Sequence, residues 1–200
     1  MIDVEAKMQI ILGVLTEGLV YAILSLGVYI TYKILDFPDL SVDGTFPLGA
    51  AVTVAMILMG APIPLAMFVA TVAGVIFGAI TGIIHVKFKI RDLISGIVVM
   101  TALYSVNLRI AGKANVPLFS RQTLFENDFL GKIFPEGMRS YSNLIILVII
   151  VIITKLLLDF YLKTKSGFLL RAVGDNEVLV TSLAKDKGNV KILGLAIANG

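Results

Sequence analysis

Residues 44–86 read GTFPLGAAVTVAMILMGAPIPLAMFVATVAGVIFGAITGIIHV. The stretch decides the fold: it contains no Asp, Glu, Lys or Arg, whereas about 20 consecutive apolar residues suffice to cross a bilayer. Ala61-Pro-Ile-Pro64 divides it, because proline lacks a donor N–H and disfavours the helical region for the residue before it. The first part, Phe46 to Gly60, is short for a full span and is either a crossing or a re-entrant segment. The second part predicts a helix from Leu65 to Ile84. On it Ala66, Ala70, Gly74, Gly78 and Gly82 recur at every fourth position, a stripe almost without side chains that lets helix backbones approach closely in lipid. Such a stripe serves packing within one subunit or an interface between two.

Outward from this stretch, further apolar segments are expected at Met8–Tyr32, Leu93–Ala111 and Tyr141–Leu162, with Ile192–Gly200 as the opening of a sixth helix. No A-x-A-like site follows the first segment, so it reads as an uncleaved span. The fold class is therefore all-α: a polytopic integral membrane protein of about five apolar helices plus the start of a sixth, with one short or re-entrant segment. Residues 1–200 form a single transmembrane domain that is expected to end inside an element. Composition agrees, with 58% hydrophobic and 16% charged residues. That balance excludes an ordinary water-soluble enzyme.

The net charge of +3 does not point to nucleic acid, because the 17 Lys and Arg residues sit mostly between apolar segments and form no tail. Two basic loops, His85–Arg91 and Lys163–Lys191, are separated by two helices, and the positive-inside rule places both in the cytoplasm. Residues 113–140 then form an extracytoplasmic loop and residues 163–191 a cytoplasmic one. The side of the amino terminus depends on whether residues 46–60 cross. With no cysteine there are no disulfides or cysteine-held clusters, and a single histidine, His85, gives no metal site and reads as solvated. H-E-x-x-H, G-x-S-x-G and G-x-x-x-x-G-K-[ST] are absent, so neither a catalytic site nor a cofactor is expected.

Three features carry candidate function. Glu17 is an acid well inside an apolar span, with Tyr21 and Ser25 following on the same helical face, and ionisable groups at such depth usually face a bundle interior or a wet cavity. This stripe either lines a solute path or bonds to a neighbouring helix or outer-leaflet water. Asp36-Phe-Pro-Asp-Leu-Ser-Val-Asp-Gly-Thr45 is polar and non-helical beside a short apolar run, the pattern by which broken helices meet solutes. Its Asp39, Ser41, Asp43 and Thr45 either offer oxygens to a solute or, for Asp43 and Thr45, cap the next helix. In the Lys163–Lys191 loop, Ser166 is expected to cap a short helix, Phe168–Val173, with Gly174 at its end, followed by a second helix, Val178–Ala184. The loop reads as a docking surface, or else as an amphipathic linker resting on membrane lipid.

Lys165-Ser-Gly-Phe-Leu-Leu-Arg-Ala-Val-Gly-Asp-Asn-Glu177, followed by Ile192-Leu-Gly-Leu-Ala-Ile-Ala-Asn199, resembles the cytoplasmic coupling loop and next helix of ABC importer permeases of the branched-chain amino acid and ribose type. Asp39-Leu-Ser-Val-Asp-Gly44 resembles the acidic turn after their first helix. The likeness covers essentially the whole chain and is strongest to a subgroup linked to tryptophan or tyrosine uptake. It implies a permease of the bacterial cytoplasmic membrane that dimerises with a second copy, binds ABC ATPase subunits and receives its solute from an extracytoplasmic substrate-binding protein. It assigns ATPase coupling to Gly167, Arg171, Ala172, Gly174, Asp175, Asn176 and Glu177. The sequence departs from the family pattern after Leu183, where Ala-Lys-Asp-Lys-Gly-Asn replaces a small-residue, Gly-then-apolar ending. The expected function is import of a small polar solute, an aromatic or branched-chain amino acid, with ATP hydrolysed on a separate subunit. The alternatives are a sugar or nucleoside permease, or an ATP-independent secondary transporter using Glu17 for protons.

Overall fold

The computed structural model describes residues 4–113, 115–118, 123–125, 139–182 and 186–200. Its elements are α1 (Val4–Val28), which runs into a π-helical turn (Tyr29–Ile34), α2 (Val42–Leu58), α3 (Ile63–Phe88), α4 (Asp92–Ala111), α5 (Arg139–Leu162), α6 (Lys165–Asp175), α7 (Glu177–Ser182) and α8 (Lys187–Asn199). Four helices are long and apolar enough to cross a membrane, at Ala6–Ile34, Ile63–Phe88, Asp92–Ala111 and Tyr141–Leu162, and α2 is a shorter apolar helix. The protein is thus all-helical and multi-pass.

α2 begins earlier than the apolar run. Val42, Asp43, Gly44 and Thr45 form its first turn rather than part of a loop, and neither Asp43 nor Thr45 caps it. Three of these residues are buried, so this turn lies within protein, where intrahelical bonds are the most economical way to satisfy its backbone. Its 17 residues rise about 25 Å, less than the roughly 30 Å hydrocarbon core. α2 packs antiparallel on α3 and runs in the same direction as α4, its first turn lying opposite the middle of α3 and its last leading into Ala61-Pro62.

α8 starts at Lys187, five residues before the apolar segment, because the Asp186 carboxylate caps it by accepting from the N–H groups of Gly188 (2.9 Å) and Asn189 (3.4 Å). It lies along the glycine stripe of α3. A Cβ on Gly82 would stand 2.7 Å from Ile192 Cα, while Gly78 and Gly74 touch the backbone carbonyls of Leu195 and Asn199. Ala66 is fully buried at the start of α3, and Ala70 packs against the cluster of Leu48, Val52, Val99 and Leu103 between α2 and α4. The stripe thus meets two neighbours within this one chain.

His85 is half-buried rather than solvated. Its Nδ1 lies 2.9 Å from the Ile90 carbonyl and its Nε2 3.4 Å from Lys191 Nζ, and its ring meets Phe37 edge-on at 5.0 Å. One histidine therefore joins both basic segments and the break after α1 at a single end of the bundle. Of residues 113–140, Arg139 and Ser140 belong to α5, and most of the rest lies outside the described residues.

Candidate functional site

The site grows from the interruption between α1 and α2. The last turn of the first span widens to π-type bonds, with Leu35 N–H donating to the Ile30 carbonyl (3.0 Å), and Phe37 N–H closes a still wider turn on the Thr31 carbonyl (2.9 Å). Such π turns are rare and concentrate at functional sites. Asp36 then takes a positive φ of 52°, a region that Asp tolerates better than bulky residues do, and the chain runs extended to Leu40. This extended segment lies directly over Gly96 of α4, where a Cβ would come within 2.8 Å of Leu40 N.

Four polar side chains converge just beyond the break. Asp39, Ser41 and Thr45 are buried. The Asp39 carboxylate accepts from Ser41 N–H (2.8 Å) through Oδ1 and from Asn199 Nδ2 (2.8 Å) through Oδ2. Thr45 Oγ1 donates to Asn199 Oδ1 (2.6 Å), and Ser41 Oγ reaches the same oxygen more weakly at 3.4 Å. Asn199 on α8 lies opposite Gly74, near the middle of α3. A short polar network at membrane depth therefore ties the break to α8. A buried polar group left without its bond costs about 1–3 kcal/mol, so these side chains hold one another in place.

On the first turn of α2, Asp43 stands about 200° around the helix from Thr45 and faces the other way. There a cavity of about 860 Å³ opens between α2 and α4, with Asp43, Pro47, Val54, Tyr104, Asn107 and Lys113 among its lining. Asn107 donates through Nδ2 to the Gly44 carbonyl (3.0 Å), while its Oδ1 is buried without a bond among the described residues. The first turn of α2 is thus a wall with a closed polar network on one side and an open cavity on the other.

The remaining stripe does not join this site. Glu17, Tyr21 and Ser25 are exposed along α1. Glu17 lies beside Asn143 in a shallow pocket against α5, and Ser25 donates back to the Tyr21 carbonyl (2.8 Å). Only Tyr21 approaches the break, stacking on Phe46 with centroids 6.2 Å apart.

At the basic end, α6 is longer than the sequence suggests and is capped by Thr164, whose Oγ1 accepts from Gly167 N–H (3.3 Å). Ser166 instead lies 3.0 Å from the Tyr161 hydroxyl. Gly167 lets the chain fold back on α5, since a Cβ there would lie 2.5 Å from Leu162 Cα. Gly174 does not end the helix but sits inside it, pressed on the Ile34 carbonyl. Asn176 Oδ1 accepts from Val178 N–H (3.1 Å) and starts α7 at Glu177; the Glu177 side chain and residues 183–185 lie outside the described residues. Arg171 and Asp175 are exposed, and Ala172 is half-buried. Leu170, Val173 and Val180 share one core with Ile30, Ile34, Leu35, Phe37 and Leu195. The loop helices are therefore packed on both the break and α8.

The sequence reading missed Asn199 and Asn107 as site residues. Each is an amide in an otherwise apolar helix, a signal that could have marked both. Among the described residues, no group of three or more His, Asp or Glu side chains could hold a metal ion.

A family profile described as branched-chain amino acid transport system / permease component matches residues 10–198. A tyrosine transport system permease protein of Clostridioides difficile (strain R20291) is 46% identical over 190 residues, covering 95% of this chain and 60% of that protein. An uncharacterized protein of Rickettsia prowazekii (strain Madrid E) is 37% identical over 193 residues, 96% of this chain and 65% of its own length. A guanosine ABC transporter permease protein of Bacillus subtilis (strain 168) is 30% identical over 117 residues, 58% of this chain and 34% of its own. The chain thus spans less than two thirds of the length of these relatives. No solved structure matches.

Proposed function

The chain belongs to the branched-chain amino acid transport permease family, and from that premise we propose that it is the membrane-spanning part of an ATP-binding cassette importer for an amino acid in the bacterial inner membrane. Its partners are ATPase subunits at the basic, cytoplasmic end, a substrate-binding protein on the opposite side, and a second copy of the permease. An aromatic amino acid is the favoured solute, because the relative named for tyrosine transport is 46% identical over nearly the whole chain.

One observation carries the mechanism: α6 and α7 share their core with the π turn, the break and α8. Gly174 rests on the last π-turn carbonyl, and α8 carries Asn199, which bonds Asp39 and Thr45 across the break. A displacement of the loop helices is therefore delivered to both sides of the polar network at once. Arg171 and Asp175, exposed on α6, face outward from this core, where a nucleotide-driven subunit would engage them. ATP hydrolysis on that subunit would tilt α6 and α7, shift the break against α8, and alternately open the path between α2 and α4 to each side.

The test uses the full-length permease reconstituted with its ATPase and binding protein. Arg171→Ala together with Glu177→Ala is expected to leave insertion and ATP hydrolysis intact while abolishing uptake. Unchanged transport in those vesicles would remove the coupling role from this loop.

A further inference from the structure

We propose that the cavity between α2 and α4 binds the solute by its ammonium group, held on the Asp43 carboxylate, with the solute's apolar body lying along α2 and α4. This deepens the importer reading and rests on it for the identity of the solute as cargo.

The inner end of the cavity offers acceptors. Asp43 carries a carboxylate that no hydrogen bond or ion pair engages among the described residues. Asn107 holds this turn of α2 against α4, its Nδ2 donating to the Gly44 carbonyl (3.0 Å) and its Oδ1 buried from solvent. Pro47, one turn above Asp43, has no N–H to donate to the Asp43 carbonyl, which leaves a second acceptor on the same helix turn. A ligand that satisfies this end must donate several hydrogen bonds and carry positive charge. An alkylammonium has three donors and no acceptor and carries the complementary charge, whereas a carboxylate brings lone pairs toward lone pairs and a sugar hydroxyl brings a single neutral donor.

The rest of the cavity suits the remainder of such a solute. Ala50, Ala51, Val54 and Leu108 give apolar walls, and the Tyr104 ring stands at one side. The volume of about 860 Å³ falls within the roughly 300–1,000 Å³ typical of small-molecule sites. Lys113, the only lysine among the lining residues, lies beyond the end of α4 and makes no ion pair with Asp43. Gly44 makes the arrangement possible: a Cβ there would lie 3.0 Å from Met100 Cα and Leu103 Cβ, so a larger residue would push α2 off α4 and pull the Gly44 carbonyl from Asn107.

The experiment is equilibrium binding of radiolabelled phenethylamine and phenylalanine to the full-length permease in nanodiscs, without binding protein or ATP, with 3-phenylpropionate as the analogue lacking an amine. Both amines are expected to bind saturably, and 3-phenylpropionate to compete about tenfold or more weakly, the loss of a charge-assisted bond. Asp43→Asn is expected to weaken both amines about tenfold or more, while Asp159→Asn, an exposed acid paired with Lys155 on α5, leaves them unchanged. Equal competition by 3-phenylpropionate, an unaltered affinity in Asp43→Asn, or no saturable amine binding overturns the proposal. ATP-driven uptake by the wild type, measured separately, distinguishes the two failures: uptake that persists with Asp43→Asn at wild-type solute dependence removes this site but not the importer reading, and uptake without an ATPase removes that reading but not the site.

Discussion

Replacing Gly174 by Ala tests the contact through which the loop helices are held to be coupled. A Cβ at 174 would overlap the Ile34 carbonyl oxygen and lie 2.9 Å from the Ile34 carbonyl carbon and 3.2 Å from that of Leu35. All three are main-chain atoms, so no side-chain rotation relieves the clash. Restoring ordinary contacts of about 3.5 Å, the Ile34 oxygen included, requires α6 to retreat by roughly 1–1.5 Å. Overpacking of this kind costs about 1–3 kcal/mol. The better helix propensity of Ala offsets at most about 1 kcal/mol of it. The remainder, up to about 2 kcal/mol, weakens docking of α6 on the break by as much as about thirtyfold. ATP-driven uptake in vesicles is therefore expected to fall several-fold to tenfold, with hydrolysis continuing. Gly13→Ala is the control, because nothing lies within 4 Å of a Cβ there. Wild-type uptake by Gly174→Ala, with a melting temperature matching that of Gly13→Ala, would refute the claim that this contact transmits motion.

Other perturbations address the network and the stripe. Asn199→Leu removes the amide that joins Asp39 to Thr45 and leaves a buried carboxylate short of a donor; a loss of about 1–3 kcal/mol is expected, read as a lower melting temperature together with a changed solute dependence of uptake. Asp39→Ala should alter the same uptake curve, whereas Glu17→Gln, on the separate exposed face of α1, should leave it as it is. Gly78→Val brings side-chain atoms onto the Leu195 carbonyl and the Asn199 side chain, so α8 should fail to seat on α3; protease protection of the 186–200 segment in membranes would be lost, and full protection would contradict the packing described.

Much of the fold was legible because lipid imposes a simple rule: a span must be apolar and satisfy its own backbone. The runs ending at Ala111 and Leu162 therefore showed close to their true extents, and the fourfold spacing of Gly74, Gly78 and Gly82 marked a surface of close approach, though not that α8 occupies it. Helix ends were less legible where protein rather than lipid surrounds them. Asp43 and Gly44 read as loop residues, yet they are helical because neighbouring helices enclose that turn. Thr164 rather than Ser166 caps α6, since both are competent caps and only the fold-back at Gly167 selects between them.

The candidate site was half legible. Asp39, Ser41 and Thr45 stood out as oxygens in a broken segment, but their common partner Asn199 is between 154 and 160 residues away, and no local pattern encodes such a contact. The π turn at Tyr29–Ile34 contains neither proline nor glycine, so its extra residue leaves no trace in the sequence. Glu17 drew attention by charge alone, and charge does not say which way a helix is turned. His85 looked solvated for the same reason: its neighbours in sequence are basic, whereas its contacts in space include Phe37 and Ile90.

The most direct test of the importer account is solute accumulation by sealed vesicles that contain the full-length permease, its ATPase subunits and its binding protein. The account predicts that an aromatic amino acid accumulates only when ATP is present on the side of α6 and α7, and that collapsing the proton gradient changes nothing. Accumulation driven by a proton gradient with no ATP or ATPase present would contradict it.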